Sequence, residues 1–293
     1  MIKIDMEYKT VEEFKKSVMK KFKNNKLEQF DEEVKSKLKD YDGRINLESL
    51  IDIDFKEIKK IKEFIDKDGI KFNFNGKDLY KKIDSETKIK YIKNLNISVC
   101  PYCNRNYIKN FKIRNKGWAV TAELDHFFPK ELYPCFAISI YNLIPCCHIC
   151  NHRKSQKEEE IYYPFEESFS HNIQFYYIPR DVNFLYNEEK IDLDYGILNK
   201  EEEGKVKNNM DIFKIKELYE GHKDLILELI QKSQIYTESY IDELLQNYQG
   251  KVFNNREDLL RLIIGVYVDE KDINKRPLSK LLMDISKSLG LLY

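Results

Sequence analysis

The chain has 293 residues, of which 42% are hydrophobic and 34% charged, a balance that excludes an intrinsically disordered protein and suits a globular one. Its 50 basic and 50 acidic residues cancel, which counts against a nucleic-acid partner held by bulk charge. The spread is uneven, with 24 basic against 20 acidic residues over 1–99, 8 against 3 over 100–154, 4 against 13 over 155–204, and 14 of each over 205–293, so the centre can still present a local phosphate-binding face.

Residues 1–98 read as helices. TVEE (10–13) has the form of a capping box with Thr10 as N-cap, and Val11, Phe14, Val18 and Phe22 fall on one face of the helix that follows. DFKEIKKIKEFIDKDG (54–69) repeats the pattern, with Phe55, Ile58, Ile61 and Ile65 inward and Gly69 as the stop. Ser85 opens another helix carrying Ile89 and Ile92. The lysine-rich runs here read as solvated helix faces.

The character changes over 99–157. YIKNFKI, the turn RNKG and WAVTAEL read as strand, turn and strand. YNLIPCC reads as a third strand and ICNHRKSQKEEE as a helix. Residues 158–204 read as an irregular, acidic, Tyr- and Phe-rich region. The rest is helical again, with long apolar periodicity over 211–245, then REDLLRLIIGVYV and RPLSKLLMDISKSLG. The most apolar stretch, LLRLIIGVYV (259–268), is short and carries Arg261, so it reads as a buried helix or strand and not as a membrane span. The opening MIKIDMEYKTVEEF is charged and has no apolar signal core. The expectation is a cytoplasmic protein with no membrane partner, whose six cysteines stay reduced and serve as metal ligands in preference to disulfides.

CPYC (100–103) and CHIC (147–150) are two knuckles. Each offers two thiolates to one ion, and four sulfurs complete a tetrahedral zinc with no open position. Cys100, Cys103, Cys147 and Cys150 are therefore expected to bind a structural Zn²⁺, worth roughly 10–16 kcal/mol in small zinc domains. The alternatives are that Cys146 replaces one ligand or that the thiols are merely buried. Cys135 has no partner motif and reads as a small core residue, as does Trp118, the only tryptophan. His148 reads as surface filler inside the second knuckle, and His171 and His222 carry no motif. Between the knuckles lie Asp125 and His126 in ELDHFFPK, then Asn142 in YNLIP, then Asn151 directly after the last cysteine.

Asp125, His126, Asn142 and Asn151, interleaved with CPYC and CHIC, resemble the HNH endonuclease family with its ββα-metal fold. The resemblance spans 100–157, about a fifth of the chain. It implies an α+β protein: mainly helical arms (1–98 and 158–293) around a small central HNH core (99–157) stapled by the zinc. It implies that Asp125 is the first ligand of a catalytic ion, His126 the general base, and Asn142 the residue that holds the loop and orients that base. Asn151 stands at the final metal-ligand position, where the plain pattern has His. This looks like the variant in HNH modules of CRISPR effectors, where Asn followed by two residues and Lys serves, and NHRK (151–154) has that form. His152 is the alternative ligand, but on a helix it points about 100° away from Asn151. Hard Mg²⁺ or Mn²⁺ suits oxygen ligands such as these. Lys130, Arg153, Lys154 and Lys157 are then placed to meet phosphates flanking the cut.

The implied function is metal-dependent hydrolysis of DNA. Nothing in the sequence reads a 2′-hydroxyl, so RNA stays open as substrate. The competing reading is a non-catalytic zinc-ribbon module that binds nucleic acid or a partner protein. The flanking arms look similar to bacterial HNH proteins of restriction and anti-phage loci, some of which, in Septu-type and retron-linked systems, work beside an ATPase. That implies an ATPase partner or a homo-oligomer docked through the helical arms.

Overall fold

A computed structural model describes residues 3–22, 27–114 and 117–292, without the side chains of 21 and 22. The Phe22 side chain, and residues 115 and 116 of the expected turn, lie outside the described residues. The chain groups into two compact units of interleaved segments, Ile4–Ile97 with Ile108–Glu159, and Ser98–Tyr107 with Glu160–Tyr293 and Lys3. This differs from a division into three consecutive segments. Among the described residues, no helix is long and apolar enough to cross a membrane.

The first unit begins with α1 (Tyr8–Phe22), α2 (Glu28–Leu38), α3 (Leu47–Ile51), α4 (Phe55–Lys67), α5 (Gly76–Tyr80) and α6 (Ser85–Asn94). Helix α1 starts before Thr10, which lies inside it and is buried, so Thr10 is not the cap. Helix α4 follows its sequence closely. The Asp54 carboxylate accepts from the Glu57 N–H at 2.8 Å, satisfying one of the amides that a helix start leaves open. Phe55, Ile58, Ile61 and Ile65 are buried, and Gly69 takes the left-handed φ of +60° that ends the helix.

Four short strands and a helix complete this unit. They are β1 (Asn110–Ile113), β2 (Gly117–Val120), β3 (Glu123–His126), β4 (Leu143–Cys146) and α7 (His148–Lys154). Strands β1 and β2 pair antiparallel, as do β3 and β4. WAVTAEL is thus divided between two ribbons, and the expected single strand is a strand end, a break and a new strand. Trp118 is 46% exposed and not in the core: α6 packs on its ribbon but leaves an open cavity beside the ring. Cys135 is buried, as expected.

The second unit contains β5 (Ile173–Pro179) and β6 (Ile191–Ile197), paired antiparallel over their full length. The sequence reading missed this hairpin in the acidic region, although Ile173, Phe175, Ile191 and Leu193 are buried at the two-residue period of a strand. It is followed by α8 (Glu203–Phe213), α9 (Ile215–Glu220), α10 (Lys223–Ile235), α11 (Glu238–Tyr248), α12 (Arg256–Ile264) and α13 (Ser279–Ser288). Residue Lys214, at φ +50°, breaks what reads as one long helical period into α8 and α9. Asn104 explains why 98–107 belongs with this unit. It is buried, donates to the Ile273 carbonyl at 2.9 Å and accepts from the Lys280 N–H at 3.1 Å.

Candidate active site and metal centre

The knuckle sulfurs come together. Cys100, Cys103, Cys147 and Cys150 are buried, and their Sγ atoms lie within 4.8 Å of one another. Around a tetrahedral zinc with ~2.3 Å bonds, sulfurs stand nearly 4 Å apart, so the set needs only slight contraction to hold a metal such as zinc. Cys146 is not a member of the group; it faces Glu123 across the β3–β4 pair. Cys147 is the residue before α7, so the second knuckle and the start of that helix are one feature.

Helix α7 packs on β3. It ends at Lys154, and Ser155 leaves with φ +47°. Lys157 is therefore off the helix that was expected to carry it. Asp125 and His126 are the last two residues of β3, both buried. The His126 Nε2 lies 3.0 Å from the Ala137 carbonyl oxygen. A carbonyl only accepts, so Nε2 carries the proton and Nδ1 keeps the lone pair. Burial, reinforced by the nearby Lys130 ammonium, pushes the imidazole down to about 3, so the ring is neutral near pH 7. The Tyr80 ring meets it edge-on at 4.7 Å between centroids. Gly76 allows that approach, because a Cβ there would clash with the Lys130 carbonyl.

Asn142 clamps the loop after β3. Its Oδ1 accepts from the Phe128 N–H at 2.7 Å, and its Nδ2 donates to the carbonyls of Phe128 at 3.0 Å and Phe136 at 3.2 Å. Its own carbonyl accepts from Phe127 N–H at 2.9 Å. One buried amide thus ties together the two segments that hold His126.

The lysines fall out differently from the sequence reading. Lys154 is 1% exposed and not available to a surface phosphate. Its ammonium lies 3.1 Å from Asp125 Oδ2 and donates to the His126 carbonyl at 2.9 Å. Packing of α7 on β3 turns it inward, where a carboxylate compensates its burial. Lys130 is partly buried, with Nζ 3.4 Å from His126 Nδ1 and 3.6 Å from Glu131. Arg153, Lys157 and His152 are exposed.

Glu123 was missed. Two residues before Asp125, it accepts from Asn151 Nδ2 at 2.7 Å and lies 2.8 Å from His148 Nδ1. Burial raises its pKa, but the hydrogen bonds from Asn151 and His148 outweigh that and hold the carboxyl below its usual range. The period-2 alternation of a strand, which puts Glu123 on the face of Asp125, was the available signal. His148 is exposed but bonded to this carboxylate, and so is more than filler. With its nitrogen held by Glu123, the Asn151 amide leaves its oxygen for other work.

No family model, no curated protein and no solved structure matches this chain.

Proposed function

We propose that the chain is a metal-dependent endonuclease of the HNH type that hydrolyses DNA, in anti-phage defence or restriction. One observation carries the reading: a buried, neutral imidazole, fixed at Nε2 by a backbone carbonyl, directly follows a buried carboxylate along β3 and leads into a loop clamped by Asn142. In this reading His126 takes a proton from water at Nδ1, a role worth roughly 10²–10⁴ in rate. Asn142 keeps that nitrogen in place, and Lys130 steadies it until substrate arrives. Asp125 and the Asn151 amide oxygen would hold a Mg²⁺ or Mn²⁺ ion. Asp125 fits, because its carboxylate and the His126 carbonyl already share one cation, the Lys154 ammonium. The ion, when bound, neutralises charge developing on the phosphoryl and leaving oxygens. Arg153 and Lys157 would meet flanking phosphates. The Zn²⁺ of the four cysteines would fix the start of α7, and so the position of Asn151.

The same ion pair favours a second reading. Asp125 is already neutralised within the chain, as suits a non-catalytic zinc module. Supercoiled-plasmid nicking separates the two. Cutting that requires Mg²⁺ or Mn²⁺ and disappears in His126→Ala supports the nuclease. No cutting by the zinc-loaded protein, alone or with its partner, supports the module. The helical regions would dock an ATPase partner or a second copy; a monomer in light scattering that cuts fully by itself would dismiss that part.

A further inference from the structure

We propose that the cavity between α6 and β2 binds an unpaired nucleotide of a single-stranded nucleic acid, its base stacked on Trp118 and its phosphate on Lys90 and Lys93. The proposal builds on the nuclease reading, since a strand to be cut must also be held. Strand β2 ends two residues before β3, which bears Asp125 and His126.

The cavity has a volume of about 490 Å³ and is lined by Glu86, Ile89, Lys90, Lys93, Gly117 and Trp118. That lies within the range of small-ligand sites. Trp118 leaves 46% of its surface in solvent, and Lys93 Nζ stands 4.3 Å from the ring centroid. The strand register places Lys112 opposite Trp118, on the same face of the ribbon. On the other face, Phe111 is 45% and Ile113 39% exposed. Lys109 and Arg114 flank β1 and are exposed. An aromatic plane beside several cations is the pairing that holds single strands: the ring stacks on any base, and the cations track the backbone. Ile89 supplies an apolar wall. Glu86 is the one acid among the described residues that line the cavity, and its carboxylate can accept from the exocyclic amino group of a base. Lys90 is shared with Glu13 at 3.4 Å, so it is held near the rim. The charge complementarity argues for a polyanion over an apolar protein partner. A duplex keeps its bases stacked on each other, so the occupant of an aromatic pocket is an unpaired base.

The chain contains one Trp, so its fluorescence reports on this cavity alone when excited where tyrosine is silent. Oligodeoxycytidylate, oligocytidylate and a blunt duplex of equal length would be titrated into His126→Ala protein with no added divalent ion. Saturable quenching by a single strand, with the duplex weaker, is expected; comparing the DNA and RNA arms shows which sugar is preferred. Trp118→Ala should weaken binding of a labelled oligonucleotide roughly tenfold to a hundredfold, the range of one base–aromatic stack, while Trp118→Phe keeps most of it. Lys93→Ala should lower the slope of log affinity against log salt by about 0.7. An unquenched Trp118, an unchanged affinity in Trp118→Ala with zinc content intact, or a duplex bound as well as a single strand overturns the proposal. Strand binding without cleavage by the wild type would fail the nuclease reading alone; cleavage with unaltered binding in Trp118→Ala would fail this one alone.

Discussion

Replacing Lys154 with Met removes an ammonium and keeps an apolar stem of similar length. The ammonium is a partner of Asp125, and the two residues are 1% and 3% exposed. Removing one member of a buried pair leaves the other charge in a low-dielectric site and costs about 3–5 kcal/mol. The contact of Lys154 Nζ with the Phe127 ring, 5.6 Å from its centroid, is lost as well. Urea unfolding in metal-free buffer, with the zinc retained, should therefore show Lys154→Met less stable than wild type by that amount. A divalent ion on Asp125 restores the missing positive charge. At a hundred times its dissociation constant it would return about 2.7 kcal/mol, so Mn²⁺ should stabilise the variant more than the wild type, where it competes with the ammonium. Adding Asp125→Asn removes the stranded charge, and the double variant should be more stable than Lys154→Met alone. A loss below about 1 kcal/mol, or a double variant whose cost is the sum of the singles, would refute the view of Asp125 as a buried carboxylate that requires a cation.

Three further outcomes follow from the same geometry. Asn142→Ala deletes the three hydrogen bonds of a buried amide, 2.7–3.2 Å long, and orphans the Phe128 amide, so it should cost roughly 2–4 kcal/mol. Under the nuclease reading, nicking should fall further than the folded fraction does, as measured in parallel by circular dichroism. Metal analysis should find zinc bound to the four cysteines and lost in Cys147→Ser; its roughly 10–16 kcal/mol of binding rivals the net stability of a domain, so the zinc-free protein should lose its cooperative thermal transition. His222 accepts from Arg105 Nε at 2.9 Å. Partial burial, then the Arg105 charge, lowers its pKa below 6.5. Its contribution to stability is thus complete above pH 6.5 and is lost as pH falls through the lowered value. His222→Gln keeps an acceptor and cannot titrate, so its urea midpoint should fall less than that of the wild type between pH 7 and pH 5.

Local signals in the sequence were sufficient wherever a few neighbouring residues decide the outcome. The cap at Asp54, the inward face of α4 and its stop at Gly69 are set by helical period and backbone freedom within one segment. The two knuckles announce a metal set because ligand spacing is a local property, and the four thiols do come together. Tertiary packing alone decided the rest. Whether a lysine turns to solvent or to a carboxylate 29 residues away depends on how α7 lies on β3, and the inward turn of Lys154 follows from that contact. Hydrophobicity placed Trp118 in the core, but a side chain is buried only if another layer covers it, and the β1–β2 ribbon leaves it half open. Glu123 joins Asn151 across 28 residues, a pairing that exists only once strand and helix have met.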